Sequence, residues 1–229
     1  MNWRSLLVLP ALVAGACARQ ATLPPPPAAP AGAADVTADE WVESTLRSLT
    51  LREKVGQMTV PWLDGSYMAV GNEEYEKLRN WVVNEGVGGI IISIGPPLEV
   101  AAKLNEAQKL AKVPLLVAAD LEHGPGQRLD GGVVMPYGIV VGGGVKFPPM
   151  MGLGSTGDPQ LAYELGRITA LEGRAVGIHM NYAPVADVNN NPANPIINTR
   201  SFGEDPAAVG RMVQAAVRGM QEHGMISTV

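Results

Sequence analysis

The chain has 229 residues, of which 46% are hydrophobic and 17% are charged, and this composition excludes a disordered or fibrous protein. The formal net charge of −5 and the lack of any cluster of four or more basic residues argue against nucleic acid as a partner, because phosphate neutralisation needs a basic patch. With one cysteine, no intramolecular disulfide is possible.

The first 17 residues, MNWRSLLVLPALVAGAC, have the organisation of a secretory signal. A short positive region precedes a mainly apolar run over residues 6–13, which is too short to span a bilayer. Small residues then lead to Cys17, at the position where a bacterial lipobox has its lipidated cysteine. We therefore expect lipid attachment at Cys17, with ordinary signal cleavage near Ala16 or Ala18 as the alternative.

Residues 18–35 form a linker rich in proline and alanine. Four consecutive prolines cannot bury a core, and such a stretch is typical of a semi-rigid, polyproline-like spacer. The folded domain is accordingly expected over residues 36–229. Lipid attachment would be the only link to a membrane and would place the protein in the cell envelope. Because Ala18 and not aspartate follows Cys17, the sequence resembles that of a protein sorted to the outer membrane.

The rest of the sequence alternates helical patterns with short apolar runs. Helices are predicted near residues 37–49, 49–58, 73–84, 97–112, 158–177 and 205–224. Strands are predicted near residues 57–61, 86–94, 113–120, 178–188 and 225–229. Thr37 with Glu40, and Thr50 with Glu53, have the spacing of capping boxes.

Continuous apolar strands separated by helices indicate a parallel α/β sheet that is covered on both faces. A (β/α)8 barrel and a doubly wound sheet both fit this order. No Gly-x-Gly-x-x-Gly follows an early strand, so dinucleotide binding has weak support. A whole barrel needs about 250 residues. We expect only the first half to five-eighths of a barrel, with an unpaired sheet edge that favours aggregation or partial unfolding.

Polar residues that follow two neighbouring strands are the candidates for chemistry, because barrel enzymes work at the carboxyl ends of their strands. They are Asp120, Glu122, His123 and Arg128 after the third strand, and Asp187, Asn189, Asn190, Asn191, Arg200, Glu204 and Asp205 after the fourth. Carboxylates accept hydrogen bonds from hydroxyls, and arginines donate in a fixed fork. A polar cup with two acidic groups and two arginines therefore suits a neutral, polyhydroxylated ligand such as a sugar. It suits a phosphate less well, because Asp120 and Asp187 would repel it.

These residues also have structural interpretations. A salt bridge over a loop would explain Arg128. A local pair with Glu204 or Asp205 would explain Arg200. Asp187 would order the Asn-rich loop through Asx turns. The choice between structure and function stays open for two further residues, Glu122 and His123.

Other motifs point to no further chemistry. No pair of His or Cys has the spacing of metal ligands, and Ser155 and Ser201 lack the context of a nucleophile elbow. His179 is expected to be a satisfied internal histidine, and His223 a cation at a helix C-terminus. The glycine-rich residues 130–149 predict a mobile loop over a site, without the Lys-Ser/Thr of a P-loop.

Four segments resemble, in order, the N-terminal domain of glycoside hydrolase family 3. Residues 49–58 resemble its opening helix and first strand, and residues 86–92 its second strand. Residues 113–129 resemble its Asp-x-Glu-Gly-Gly-x-x-x-Arg segment, with His123 in place of the first glycine. Residues 181–206 resemble its most specific segment, Ala-Pro-Val-x-Asp-Val followed by Arg-Ser-Phe-Gly-Glu-Asp-Pro.

The resemblance, which spans about residues 37–229, implies a TIM-type barrel and a retaining β-glycosidase that needs no metal or organic cofactor. Asp120 would bind sugar hydroxyls at the non-reducing end. Arg128, Arg200 and Asp187 would contribute to the same subsite. The nucleophile and the acid/base would lie beyond residue 229, so these residues would be an inactive fragment of the parent enzyme.

The expected substrate is a terminal β-linked N-acetylhexosaminide. The Asn-rich residues 189–206 resemble the hexosaminidase branch more than the Arg-Trp-Gly-Arg form common in β-glucosidases. A β-glucosidase of the same family is one alternative, and a non-catalytic, lipid-anchored sugar-binding protein is another. Four segments in the right order argue against a barrel enzyme of another kind.

Overall fold

The computed structural model describes residues 37–131, 133–135 and 139–229. The predicted signal and linker, with Cys17, lie outside the described residues. Residues 42–229 form one compact unit. Within the described ranges, no helix is both long enough and apolar enough to cross a membrane.

The helices agree closely with the sequence pattern. They are α1 (Ala38–Ser48), α2 (Leu51–Gly56), α3 (Glu73–Arg79), α4 (Pro97–Leu110), α5 (Met150–Gly154), α6 (Pro159–Ala175) and α7 (Pro206–Gln221). A π-helical turn over Asn80–Glu85 extends α3 and ends at Gly86, whose φ of 63° is accessible to glycine without strain. Asp158, the N-cap of α6, accepts a hydrogen bond from the backbone N–H of Gln160.

Both predicted capping boxes are present. The backbone N–H of Glu40 donates to Oγ1 of Thr37 at 3.3 Å, and the backbone N–H of Thr37 donates to Oε2 of Glu40 at 2.9 Å. Thr50 and Glu53 form the same reciprocal pair at the start of α2. Each box satisfies backbone donors that a helix N-terminus otherwise leaves unpaired.

The strands are short. They are β1 (Trp62–Leu63), β2 (Gly89–Ile92), β3 (Leu116–Ala119), β4 (Val133–Met135), β5 (Ile139–Val141), β6 (Met180–Asn181) and β7 (Ile226–Ser227). Strands β1, β2, β3, β6 and β7 form one parallel sheet in that order, and β4 with β5 forms an antiparallel hairpin.

Two predictions of local structure are wrong. The first strand lies at Trp62–Leu63 and not at residues 57–61, because the backbone N–H groups of Met58 and Thr59 bond back into the last turn of α2. The glycine-rich residues 130–149 contain the β4–β5 hairpin, where the sequence predicted only a loop.

The order of the parallel strands distinguishes between the two candidate folds. A doubly wound sheet reverses its strand order at a switch point, whereas a barrel adds each strand beside the previous one. Here the order follows the chain without reversal. Helices α3, α4, α6 and α7 each lie between successive strands of the sheet. The described residues therefore form five strands of a TIM-type barrel, and the predicted fold class is confirmed.

The two faces of the sheet differ in burial. Leu63 is 6% exposed and belongs to the hydrophobic core, whereas its neighbour Trp62 is 56% exposed. Side chains alternate between the faces of a strand. The register extends this row from Trp62 across the sheet through Ile91, Ala118, Met180 and Ile226; its two edge residues are exposed, whereas Ala118 is buried. This row lies on the face that forms the interior of a barrel.

Candidate functional site

The carboxyl end of β3 carries two carboxylates. Asp120 follows Ala119 directly, and Glu122 lies two residues further on. Asn181 of β6 is fully buried and holds the backbone between them. Its Oδ1 accepts from the backbone N–H of Leu121 at 2.8 Å, and its Nδ2 donates to the Leu121 carbonyl oxygen at 3.3 Å. The position of both carboxylates is therefore tied to the neighbouring strand.

Arg128 follows a 3₁₀ turn (Pro125–Gln127) and pairs with Asp120. Its Nη2 donates to Oδ2 of Asp120 at 3.0 Å, and both side chains are largely buried. The guanidinium also lies over the indole of Trp62, with 5.8 Å between its central carbon and the ring centroid. Nε of Arg128 is buried and has no hydrogen-bond partner among the described residues. The side chain is thus fixed on two sides and retains a free donor.

Arg200 ends a 3₁₀ turn in the loop after β6 and pairs with Glu122. Its Nε donates to Oε2 at 2.9 Å and its Nη2 to Oε1 at 2.8 Å, so the pair is bidentate. Glu122 is 9% exposed and lies 78 residues away in sequence. The hydrogen bonds that Arg200 donates to Glu122 raise the pKa of the Arg200 guanidinium above its ordinary value. Arg200 is therefore a fixed positive charge at every physiological pH.

Asp187 is exposed in the same loop. After the hydrogen bonds and the opposing effect of burial, the negative charges of Asp187 and Asp120 also contribute to the raised pKa of Arg200. The structure therefore brings Asp120, Arg128, Arg200 and Asp187 into one cluster at the carboxyl ends of β3 and β6. Their roles toward a ligand stay predictions.

Buried Ser201 closes this loop. Its hydroxyl donates to the carbonyl oxygen of Asp187 at 2.6 Å and accepts from the backbone N–H of Gly203 at 3.1 Å. The Asx turns predicted for Asp187 are formed instead by Asn191 and Asn194, whose Oδ1 atoms accept from the backbone N–H two residues further on. Ser201 consequently has a structural role, and the Asp187 carboxylate is not used in an Asx turn.

Two of the remaining residues bind backbone N–H groups and have structural roles. Asp205 accepts from the backbone N–H of Ala208 at 2.7 Å and is the N-cap of α7. The alternative of a local pair with Arg200 is not the one observed, because Arg200 pairs with Glu122. His179 Nδ1 accepts from the backbone N–H of Val117 at 3.1 Å, as expected for an internal histidine. Burial, followed by the charge of Arg174, lowers the pKa of the His179 imidazole below its ordinary value.

The other two histidines differ in their surroundings. His223 has its Nδ1 2.9 Å from the carbonyl oxygen of Gly219, at the predicted position near the end of α7. The backbone N–H of His123 donates to Oε1 of Gln127 at 2.9 Å, whereas its Nε2 is buried and has no partner among the described residues. His123 therefore has polar capacity that the described fold does not use.

The charge of the cup indicates what it can bind. Three carboxylates, Asp120, Glu122 and Asp187, face two guanidinium groups. An anionic ligand would meet net repulsion, while hydroxyl groups can both donate to the carboxylates and accept from the arginines. Among the described residues, no group of three or more His, Cys, Asp or Glu side chains could hold a metal ion. The arrangement suits a neutral, polyhydroxylated ligand.

Sequence analysis missed two contributors and left a third open. Trp62 lies one residue beyond the strand predicted at residues 57–61, and its signal in the sequence is an aromatic residue in a short apolar run before Asp64. The signal for Asn181 is a polar residue inside the strand predicted at residues 178–188. Glu122 was left open, since its partner Arg200 is distant in sequence.

Comparisons with known proteins agree with this fold. The Glycosyl hydrolase family 3 N terminal domain matches residues 50–229. A β-hexosaminidase of Thiobacillus denitrificans is 36% identical over 164 residues, which cover 68% of this chain and 42% of that protein. A β-N-acetylglucosaminidase/β-glucosidase of Cellulomonas fimi is 30% identical over 188 residues, which cover 82% of this chain and 30% of that protein.

Solved structures give the same result. A family 3 β-N-acetylglucosaminidase from Paenibacillus sp. str. FPU-7 superposes with a TM-score of 0.63 and 39% identity, over 78% of this chain and 32% of that one. The chain thus spans well under half the length of these relatives. With the family domain matching residues 50–229, the chain belongs to glycosyl hydrolase family 3.

Proposed function

We propose that these residues form the sugar-binding part of a β-glycosidase that acts on terminal β-linked N-acetylhexosaminides. The observation that carries the proposal is the cup in which Asp120 and Glu122 hold Arg128 and Arg200 at the carboxyl ends of barrel strands. The relatives named β-hexosaminidase and β-N-acetylglucosaminidase support the choice of sugar.

Hydrogen-bonding capacity at the cup matches a ring of hydroxyl groups. Asp120 uses Oδ2 for Arg128, which leaves Oδ1 to accept from a hydroxyl. Arg200 keeps two N–H groups beyond those that bind Glu122 and the carbonyl oxygen of Ile196, and Nε of Arg128 is a buried donor without a partner among the described residues. In this proposal Asp120, Arg128 and Arg200 contact the sugar, with Asp187 shaping the open side of the subsite.

The same geometry favours binding over bond cleavage by these side chains. A general acid has to carry a proton, and a nucleophile needs a free oxygen. Both oxygens of Glu122 are bonded to Arg200, so Glu122 has no free oxygen. Asp120 is ion-paired with Arg128 through Oδ2, and in this proposal its other oxygen binds a sugar hydroxyl. We propose that the parent enzyme supplies its nucleophile and acid/base from elsewhere, and that these 229 residues bind sugar without hydrolysing it.

The test is a comparison of two sugars on the 229-residue chain. N-Acetylglucosamine and glucose are titrated separately and followed by ¹H–¹⁵N NMR, and hydrolysis of p-nitrophenyl N-acetyl-β-glucosaminide is assayed in parallel. We expect N-acetylglucosamine to bind more tightly than glucose, with hydrolysis at background. Tighter binding of glucose supports the second candidate, a β-glucosidase, which the double name of the Cellulomonas fimi relative favours. Binding of neither sugar would overturn the proposal.

We also propose that Cys17 carries a lipid anchor and that residues 18–35 hold the domain away from the membrane in the cell envelope. The support is the order of positive, apolar and small residues before the cysteine. Cys17→Ala is expected to move the protein from the membrane fraction to the soluble fraction. A variant that stays with the membrane would show that another segment anchors the chain.

A further inference from the structure

The Arg200 guanidinium has a defined set of unused donors. Of its five N–H groups, one on Nε and one on Nη2 bind Glu122, and one on Nη1 donates to the carbonyl oxygen of Ile196 at 3.2 Å. One N–H on Nη1 and one on Nη2 are left. Because the group is planar and rigid, a bidentate partner on one edge fixes the direction of these remaining donors.

Glu122 is the more rigidly held member of this pair. Its side chain is 11% exposed, whereas that of Arg200 is 39% exposed. Glu122 follows β3, where Asn181 anchors the adjoining backbone of Leu121. Arg200 instead extends from a long loop. The pair therefore connects a flexible side chain on a loop to a part of the chain that is fixed to the sheet.

Loss of Glu122 would have a second effect on the cup. The charges of Asp187 and Asp120 already act on Arg200. Without Glu122, these two carboxylates are the charges left to attract the freed guanidinium. A shift of Arg200 toward Asp120 would occupy the oxygen that is available to a sugar hydroxyl, so one substitution would disturb two contacts.

We propose that Glu122 is a positioning residue for Arg200: it holds the guanidinium so that its two remaining N–H groups face the sugar subsite beside Asp120. Glu122 does not contact the sugar itself, because both of its oxygens are bonded to Arg200. This inference rests on the proposed sugar-binding function and adds a residue to it.

A double-mutant cycle on the 229-residue chain tests the inference. Affinity for N-acetylglucosamine is measured by NMR titration for Glu122→Gln, Arg200→Lys and the double variant. We expect Glu122→Gln to weaken binding about tenfold, as is typical when a hydrogen bond to a charged group is lost. In the Arg200→Lys background, the same change should have less than about a twofold effect, because Glu122 acts through Arg200. If the fold-losses of affinity in the two single variants multiply in the double variant, the inference is overturned.

A matched control separates position from charge. Glu204 is an exposed glutamate in the same loop, four residues after Arg200. Glu204→Gln removes the same charge and is expected to leave the affinity unchanged. If it weakens binding as much as Glu122→Gln does, the effect comes from overall charge and the inference is wrong.

A readout without ligand distinguishes this inference from the proposed function. The Nε–H signal of Arg200, assigned by its loss in Arg200→Lys, should exchange slowly with water in the native chain and quickly in Glu122→Gln. A changed signal with unchanged affinity overturns the positioning role alone. If the native chain shows the protected signal but binds no sugar, the proposed function is overturned, and so is the role of Glu122 in sugar binding. Should Glu122→Gln lack a cooperative thermal transition, Glu122→Asp takes its place in the cycle, with the same expectation.

Discussion

Asp120 is the residue of the cup on which a single isosteric change has the clearest expected result. Asp120→Asn removes the charge that holds Arg128 and reduces the acceptor strength of the side chain toward a hydroxyl. A hydrogen bond to a charged group contributes about 1.5–3 kcal/mol, so affinity for N-acetylglucosamine should fall about tenfold or more. NMR or calorimetric titration of the native and variant chains measures this.

The matched control for Asp120 is Asp130. Its exposed carboxylate is 3.3 Å from Nζ of exposed Lys146, so the pair is largely screened by water. Asp130→Asn is expected to leave sugar affinity unchanged. Equal losses in the two variants would mean that Asp120 acts only through the net charge of the protein.

His179 gives a residue-scale prediction about pH. Its Nδ1 accepts from the backbone N–H of Val117, which requires the neutral ring, and burial lowers the pKa of the imidazole below the ordinary 6.5. As the pH falls below about 6.5, the unfolded chain binds a proton that the folded chain resists, so stability decreases until the pH passes the folded-state pKa. Above pH 6.5 His179 has no such effect.

Thermal unfolding at pH 7.5 and pH 5.5 checks this, with His179→Gln as the comparison. Glutamine does not titrate, so the variant should lose less stability between the two pH values than the native chain does. The acidic groups with lowered pKa values titrate below about 4.5 and stay charged across this range. An identical loss in both proteins would contradict the role of His179.

At the scale of elements, α6 and α7 pack against each other through glycine. A Cβ on Gly166 would lie 2.1 Å from the Ala216 carbonyl oxygen, and one on Gly219 would lie 2.2 Å from that of Tyr163. Neither backbone can yield without separating the helices. Gly166→Ala is therefore expected to destabilise the fold by about 1–3 kcal/mol, measured by urea unfolding.

A third glycine provides the control for this packing. Gly210 lies on α7, and a Cβ there would have open space within 4 Å. Gly210→Ala should stabilise the chain by about 0.5–1 kcal/mol, because alanine favours a helix. Opposite signs for the two substitutions would show that close packing, and not helix propensity, sets the requirement at Gly166. Stabilisation by both would refute the packing argument.

The elements that sequence predicted well are those with local signals. Thr50 with Glu53, and Asp158 before a proline, mark helix starts through contacts that span three residues or fewer. The position predicted for β1 was wrong because the pairing of a two-residue strand with its neighbour, here Trp62 opposite Ile91, determines where the strand lies. The β4–β5 hairpin was missed because its strands are three residues each and lie among glycines.

The residues of the site also differ in whether their partners are near or distant in sequence. Asp120 and Arg128 are eight residues apart on one segment, and the sequence was sufficient to place them together. The Glu122–Arg200 pair joins segments 78 residues apart and exists because β3 and β6 are adjacent in the sheet. That adjacency is a property of the tertiary fold, so local pattern could not assign Arg200 to Glu122 over its sequence neighbours Glu204 and Asp205.

At the scale of the whole molecule, the sheet has one apolar face that is uncovered at its two edge strands. Trp62 and Ile226 are 56% and 48% exposed, and they belong to the row that faces away from the core helices. Strands β1 and β7, which carry them, are also the two edges of the sheet. Exposed apolar surface next to open strand edges favours association between copies. We expect the 229-residue chain to self-associate reversibly, with a sedimentation coefficient that rises with concentration.

Ile226→Lys tests whether this face is responsible. A lysine there places a charge on the uncovered face at an edge strand, which opposes pairing between copies at little cost to the fold, since the side chain is already half exposed. Sedimentation velocity across a range of concentrations should show weaker association than in the native chain. Leu161→Lys is the matched control, because Leu161 is an exposed leucine near the start of α6 and lies on no sheet. If both variants associate as the native chain does, or if both become monomeric, the uncovered sheet face is not the surface through which copies meet.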